Sequence, residues 1–187
     1  MPRDASPVHV LMILESGYPV RGGGGAESQV RTLARELRRR GHRVTVLTPR
    51  VPNAPQARVE RCEGIPVCRL AYPRVRGLGR FALWLQLAGF LRGHGRRYDA
   101  WHVHIAHYLG ALACRLAPAL GKPAIVKISG WWELERGLLA PDAGTLARIG
   151  VGWLKRASAL QAISQRIAGE LARAGFAPER ILALPNA

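Results

Sequence analysis

Lysine is rare in this chain, and acid is scarce beside arginine. Three of its 28 basic residues are lysine (Lys122, Lys127 and Lys155), only 12 of its 187 residues are acidic, and the formal net charge is +16. Arginines are scattered along most segments, as on solvated helix faces, and no aromatic residues interleave with them in the manner of a nucleic-acid module. Nucleic acid is therefore the disfavoured partner; an anionic membrane surface or a phosphorylated substrate suits arginine better. Part of the skew, alongside abundant alanine and glycine, reads as a codon bias toward G and C.

Cysteine is also scarce. Cys62, Cys68 and Cys114 make an odd count with no Cys-x-x-Cys spacing, so neither a disulfide framework nor a zinc site is indicated, and a reducing cytoplasm fits. No stretch is long and apolar enough to cross a membrane, and the first apolar run ends at Glu15 without a basic region ahead of it, so it reads as a strand and not a signal peptide. No Gly-Lys-Ser/Thr occurs, because Gly121-Lys122 is followed by Pro123, which excludes a nucleoside-triphosphate loop. A dinucleotide fingerprint counted from Gly22 and Gly24 needs glycine where Glu27 stands. The acid that would hold a ribose is missing too, since the second strand runs out as Leu47-Thr48-Pro49-Arg50.

What the chain does have is a strand, glycine-rich turn, helix and strand in residues 8–49. Residues 8–14 are almost continuously apolar, as in a parallel strand buried on both faces. Four glycines at 22–25 follow. Val30, Leu33, Ala34 and Leu37 then recur at helical spacing with Arg31, Arg35, Arg38 and Arg39 on the other side, and Gly41 supplies the stop. Residues 43–48 alternate as the second strand. A turn at the carboxyl end of a first strand, with free amide groups at the next helix start, suits contact with an anionic ligand; the plainer alternative is a flexible loop tip.

These residues carry a resemblance. Tyr18-Pro19, the Gly-Gly-Ala-Glu at 24–27, the Leu-Ala-Arg-Glu-Leu at 33–37 and the Arg-Gly-His-Arg-Val-Thr-Val-Leu-Thr-Pro at 40–49 resemble the opening of family 4 glycosyltransferases, retaining enzymes of the GT-B fold. Later echoes at 98–104, 122–126, 161–164 and 184–186 extend it over essentially the whole chain. The resemblance implies strand order 3-2-1-4-5-6 and an acceptor-binding half. Its partners would be a nucleotide-diphosphate sugar donor and a sugar or lipid-linked acceptor. In the family a second domain, with the nucleotide-sugar site and a paired-glutamate motif, follows Leu-Pro-Asn. Residues 1–187 are therefore expected to be one domain that is inactive alone, with the donor site absent or carried by a separate chain. No cofactor and no metal are implied.

The rest of the chain reads in order. Residues 50–63 read as a loop, and Ile65, Val67 and Leu70 mark a third strand, assigned to the edge because of Pro66. Residues 81–91 form a helix apolar nearly all round, with Trp84 in it. It is either a peripheral contact with an anionic membrane or, the favoured reading, a core helix packed on the sheet. Residues 99–105 are the fourth strand, whose period of two puts His102 and His104 on one face with His107 just beyond. No carboxylate or cysteine beside them suggests a metal. His104 is assigned a hydrogen bond to substrate and His102 the role of a satisfied core histidine.

The fifth strand, 123–129, contains Lys127, which must have a partner or a ligand. Many family members resemble Thr-x-His-Gly here; this chain has Lys127-Ile128-Ser129-Gly130, so Ser129 or Lys127 stands where the histidine would act. Trp131 and Trp132 either stack on a sugar or apolar acceptor or pack within the loop. Residues 109–120 and 146–157 read as helices, 160–163 as the sixth strand, Ser164 caps a helix ended by Gly175, and 181–184 read as a last short strand. The candidate substrate-binding set is Gly23, Gly24, Gly25, Glu27, His104, His107, Lys127 and Ser129, with Glu133 the one carboxylate considered for proton transfer. The fold expectation is an α/β, doubly wound, mainly parallel Rossmann-like sheet with helices on both faces. The competing function class is a basic, non-enzymatic module for anionic lipid or nucleic acid.

Overall fold

The computed structural model describes residues 6–19, 24–51, 56–73, 75 and 78–186. Eight strands form one sheet in the order β3-β4-β2-β1-β5-β6-β7-β8. These are β1 (His9–Leu14), β2 (Arg43–Pro49), β3 (Val59–Cys62), β4 (Ile65–Leu70), β5 (Ala100–His104), β6 (Ala124–Ile128), β7 (Ala159–Ala162) and β8 (Ile181–Ala183). Every pairing is parallel except β3 with β4. Leaving out β3, which residues 50–63 hid as loop, the order is the 3-2-1-4-5-6 expected, with β8 added at the far edge.

The short antiparallel β3 corrects two expectations: residues 59–62 are strand, and β4 is not the edge. Glu63 and Gly64 both take positive φ, 52° and 77°, which makes a two-residue turn of the mirror-image kind that matches the twist of a hairpin. Pro66 lies opposite Arg61 on β3, one residue before the β2 pairing begins at Val67, so its missing N–H falls outside that ladder.

The direction of each crossover decides which face its helix covers. Parallel connections are right-handed, so a chain moving one way along the sheet lays its helices on one face and a chain moving the other way lays them on the opposite face. Helix α1 (Gly25–Arg39) connects β1 to β2 on one side, and its Val30 and Ala34 pack with Val10, Met12, Leu14, Val46 and Val67. Helices α2 (Leu78–His94), α3 (Tyr108–Leu116), α5 (Thr145–Leu154) and α6 (Gln165–Arg173) serve connections running the other way. They bury Leu87, Leu109, Leu154 and Leu171 with Leu11, Trp101, Val103, Val126 and Leu160 on the second face. A one-turn helix, α4 (Trp132–Glu135), precedes α5. Gly110 allows α3 to approach the sheet closely, since a Cβ there would stand 2.6 Å from a Val103 methyl.

Helix ends follow the chain's local signals. Ser164 Oγ accepts the Ile167 N–H at the start of α6, and Gly41 and Gly175 take φ of 85° and 77° just past α1 and α6. Helix α2 divides its apolar surface: Leu87, Ala88 and Leu91 are in the core, while Leu78 is 63 % exposed and Phe81 and Leu85 each 58 %. The core-helix expectation holds for one side only. Trp84 is half-buried, its ring 5.7 Å from that of Tyr108, and not free in an interface. Among the described residues no helix is long and apolar enough to cross a membrane.

Candidate substrate cleft

Because α1 covers only its own half of the first face, the matching face of β5 and β6 carries no helix of its own among the described residues, and there the strands turn polar. Alternation sends Trp101 and Val103 into the helical core and His102 and His104 to the other side; in β6, Val126 and Ile128 go to the core and Lys127 joins the histidines. Lys127 stands in register with His104 on one side and Gln161 on the other. At the carboxyl ends of β1, β5 and β6 this face opens into a cavity of about 400 Å3 lined by Ser16, Gly25, Glu27, His104, Lys127 and Ser129 among others. This is where the crossovers reverse direction, the place at which open α/β sheets bind ligands.

Five of the expected residues, Gly25, Glu27, His104, Lys127 and Ser129, thus share one wall. Gly23 lies outside the described residues. Gly24 is the N-cap of α1 with φ of −77°, so it is extended and not strained, and the nearest atoms a Cβ added there would meet are those of the Glu27 carboxylate. Glu27 therefore folds back over the start of its own helix, where a negative charge suits the dipole.

The buried polar groups of this wall are short of partners. Both ring nitrogens of His104, which is 1 % exposed, lack a hydrogen-bond partner among the described residues; so do His102 Nε2 and Ser16 Oγ. The His102 and His104 rings lie 4.4 Å apart. Burial, then the neighbouring histidine and the Lys127 charge, hold His104 well below its ordinary pKa; burial followed by Lys127 brings His102 down to about 4. Both imidazoles are neutral at pH 7; a side-chain hydrogen bond with Gln161 works against the lowering at His102, so the satisfied-core role expected for His102 holds in part, its Nε2 having no partner among the described residues. Lys127, 4 % exposed, reaches Gln29 Oε1 at 3.3 Å, and burial lowers its pKa.

Two expected residues belong elsewhere. His107 does not line the cavity: its Nδ1 meets Glu15 Oε1 at 2.6 Å, whose other oxygen accepts the Leu109 N–H, so the pair fastens the start of α3 to the end of β1. The Glu15 hydrogen bond raises the His107 pKa against the opposing effect of burial. Glu133 is fully buried. Its carboxylate accepts the N–H groups of Ser129 (2.6 Å), Gly130 (3.0 Å) and Ala106 (2.5 Å) and the Ser129 hydroxyl (2.6 Å). Burial raises its pKa, with these donors opposing. A carboxylate so enclosed is placed to hold the loop, and Glu133, the candidate for proton transfer, does not line the cavity.

The tryptophans split. Trp131 packs in the loop, with the Arg166 guanidinium 3.9 Å over its ring and its indole N–H on Glu135; Trp132 is 46 % exposed at the cavity rim. Sequence reasoning missed Ser16, Gln29, Ile105 and Asn186. Ile105 sits at φ 83°, a strained conformation for a β-branched residue, between His104 and the Ala106 N–H that Glu133 holds. No local signal marks it. Among the described residues no group of three or more His, Cys, Asp or Glu is placed to hold a metal.

With this geometry in hand, comparisons with known proteins are specific about the fold. Residues 23–187 match Glycosyltransferase Family 4. Among solved structures, the Anabaena protein HepE in complex with UDP and glucose superposes at a TM-score of 0.66 with 19 % identity, over 96 % of this chain and 44 % of that one. The catalytic domain of starch synthase IV from Arabidopsis thaliana, bound to ADP and acarbose, gives 0.66 with 16 % identity, over 97 % and 52 %. Sucrose-phosphate synthase from Thermosynechococcus elongatus gives 0.69 with 17 % identity, over 95 % and 48 %. The chain thus spans about half the length of the structures it matches. A search of curated proteins finds no match.

Proposed function

Since the chain belongs to glycosyltransferase family 4, we propose that residues 1–187 are the acceptor-binding half of a retaining glycosyltransferase that uses a nucleotide-diphosphate sugar. The observation that carries this reading is the cavity at the carboxyl ends of β1, β5 and β6, where Gly25, Glu27, His104, Lys127 and Ser129 meet. A neutral imidazole has one N–H to give and one lone pair to accept with, so His104 suits a sugar hydroxyl; Glu27 accepts from a second hydroxyl. The donor site belongs to a second half, either a continuation of the polypeptide or a separate chain. Half a cleft cannot hold donor and acceptor in attacking geometry.

The test is calorimetric titration of residues 1–187 with a panel of stereoisomeric sugars and oligosaccharides. A preference among stereoisomers, lost when His104 is replaced, supports an acceptor pocket. Binding only to polyanions, indifferent to stereochemistry and falling steeply with salt, would instead favour the basic binding module.

A peripheral membrane contact accompanies this reading. Leu78, Phe81 and Leu85 form an exposed apolar row on α2, and no acid occurs anywhere in residues 70–98, which contain six arginines. Apolar side chains in an arginine-rich, acid-free stretch suit the cytoplasmic surface of an anionic bilayer.

A further inference from the structure

Lys127 presents an imbalance that the acceptor reading does not by itself explain. It is a cation 4 % exposed, held by one amide oxygen at 3.3 Å, and among the described residues it forms no ion pair. A buried charge without a counter-charge is costly, and a protein that keeps one has a use for it. The groups around it deepen the imbalance. His104, in register beside it, has two buried nitrogens with no partner among the described residues, and Ser16 Oγ on the same wall has none there either. An ammonium, an imidazole N–H and a hydroxyl thus face one cavity with a single amide oxygen shown to accept from them.

The carboxylates of the neighbourhood do not pair with Lys127 among the described residues. Glu133 is enclosed by Ser129, Gly130 and Ala106, and Glu27, on the cavity wall, lies over Gly24 at the start of α1. Glu36, further along α1, pairs with Arg39 and Arg40. The missing component is an oxygen-rich anion.

We propose that Lys127 is the cation of a subsite for a phosphate monoester on the acceptor sugar, and that it sets the preference of this cleft for phosphorylated over neutral acceptors. The inference rests on the reading of the cleft as an acceptor site. A phosphate supplies both the counter-charge and several acceptor oxygens, enough to take the lysine ammonium, a His104 N–H and the Ser16 hydroxyl together. A cavity of about 400 Å3 is within the range that holds a small ligand. Ile105 supports a preformed site: its strained φ of 83° lies at the wall between His104 and the anchored Ala106, where backbone strain persists only if the surroundings impose it.

The experiment is calorimetric titration of residues 1–187 with hexoses, their monophosphates, inorganic phosphate and a nucleoside diphosphate at constant ionic strength, for the wild type, K127M, K127R and, as a control outside the cleft, K155M. Circular dichroism verifies that each variant is folded. The expected result is a hexose monophosphate bound about 10-fold or more tighter than its parent hexose, as one charge-assisted interaction contributes. K127M brings that ratio to within about 3-fold, K127R keeps part of it, and K155M keeps all of it. Equal affinities in the wild type, or a phosphate preference that survives in K127M, overturn the inference. Lys127 dependence confined to the nucleoside diphosphate overturns it too, by assigning the cation to the donor. Failure of the two readings is distinguishable: stereospecific sugar binding without a phosphate preference removes only the anion subsite, Lys127-dependent phosphate binding without any sugar binding removes only the acceptor role, and no binding at all removes both.

Discussion

The side chain of Glu133 accepts the backbone N–H of Ala106, 27 residues earlier in the chain. This bond joins the end of β5 to the loop after β6, and so fixes the spacing between His104 and Ser129 across the cavity. Glu133→Ala leaves the N–H groups of Ala106, Ser129 and Gly130 without their acceptor. Each such loss costs about 1–3 kcal/mol in a buried setting, so urea denaturation should show a loss of roughly 3 kcal/mol or more. Glu133→Gln retains an acceptor oxygen and should lose less. If E133A were as stable as the wild type, the carboxylate would have no positioning role.

Gly25 gives the opposite expectation. It begins α1, and a Cβ there meets nothing within 4 Å. Gly25→Ala should raise stability by about 0.5–1 kcal/mol through helix propensity, while weakening ligand binding because the methyl enters the cavity. A gain in thermal midpoint with unchanged affinity for every sugar in the panel would mean that the turn is structural only.

The His107–Glu15 pair makes stability depend on pH. Its folded-state pKa is raised above the ordinary 6.5, so the contribution is fully present below about pH 6.5 and is lost as pH rises through the higher, folded value. The difference in melting temperature between the wild type and His107→Gln should be largest below pH 6.5 and shrink toward pH 8. His102 and His104, held neutral, act in the opposite sense but are common to both proteins and cancel. A gap that is constant with pH counts against a charged pair.

The exposed row on α2 predicts that Phe81→Glu and Leu85→Glu reduce sedimentation with vesicles containing phosphatidylglycerol, with stability changed by no more than about 0.5 kcal/mol, as for most surface substitutions. Wild-type protein that ignores such vesicles at low salt has no membrane contact through this face.

Polypeptide 1–187 by itself should release no nucleoside diphosphate from a panel of nucleotide sugars, with or without acceptor. Turnover at roughly 1 per second or more, the range of ordinary enzymes, would show that these residues contain a complete active site.

The sequence by itself determined what depends on chain neighbours. Continuous apolar runs made β1 and β6 buried parallel strands, the 3.6-residue period placed Val30 and Ala34 inward on α1, and Gly41, Ser164 and Gly175 ended or began helices where they stand. Gly25, Lys127 and Ser129, which the structure brings to one cavity, could be singled out because a glycine cluster and a charge inside an apolar strand are unusual locally. Strand β3 was hidden because four residues carry too little pattern; only pairing with β4 makes them a strand, though Glu63-Gly64 was a usable turn signal. Tertiary structure alone decided the partners of the ionisable groups. His107 and Glu15 are 92 residues apart, and Glu133 and Ala106 27, so no spacing rule could join them. It also decided which face of β5 and β6 lacks a helix: the handedness of crossovers is a property of the whole chain path, and it is why His104 and Lys127 border a cavity and not a core.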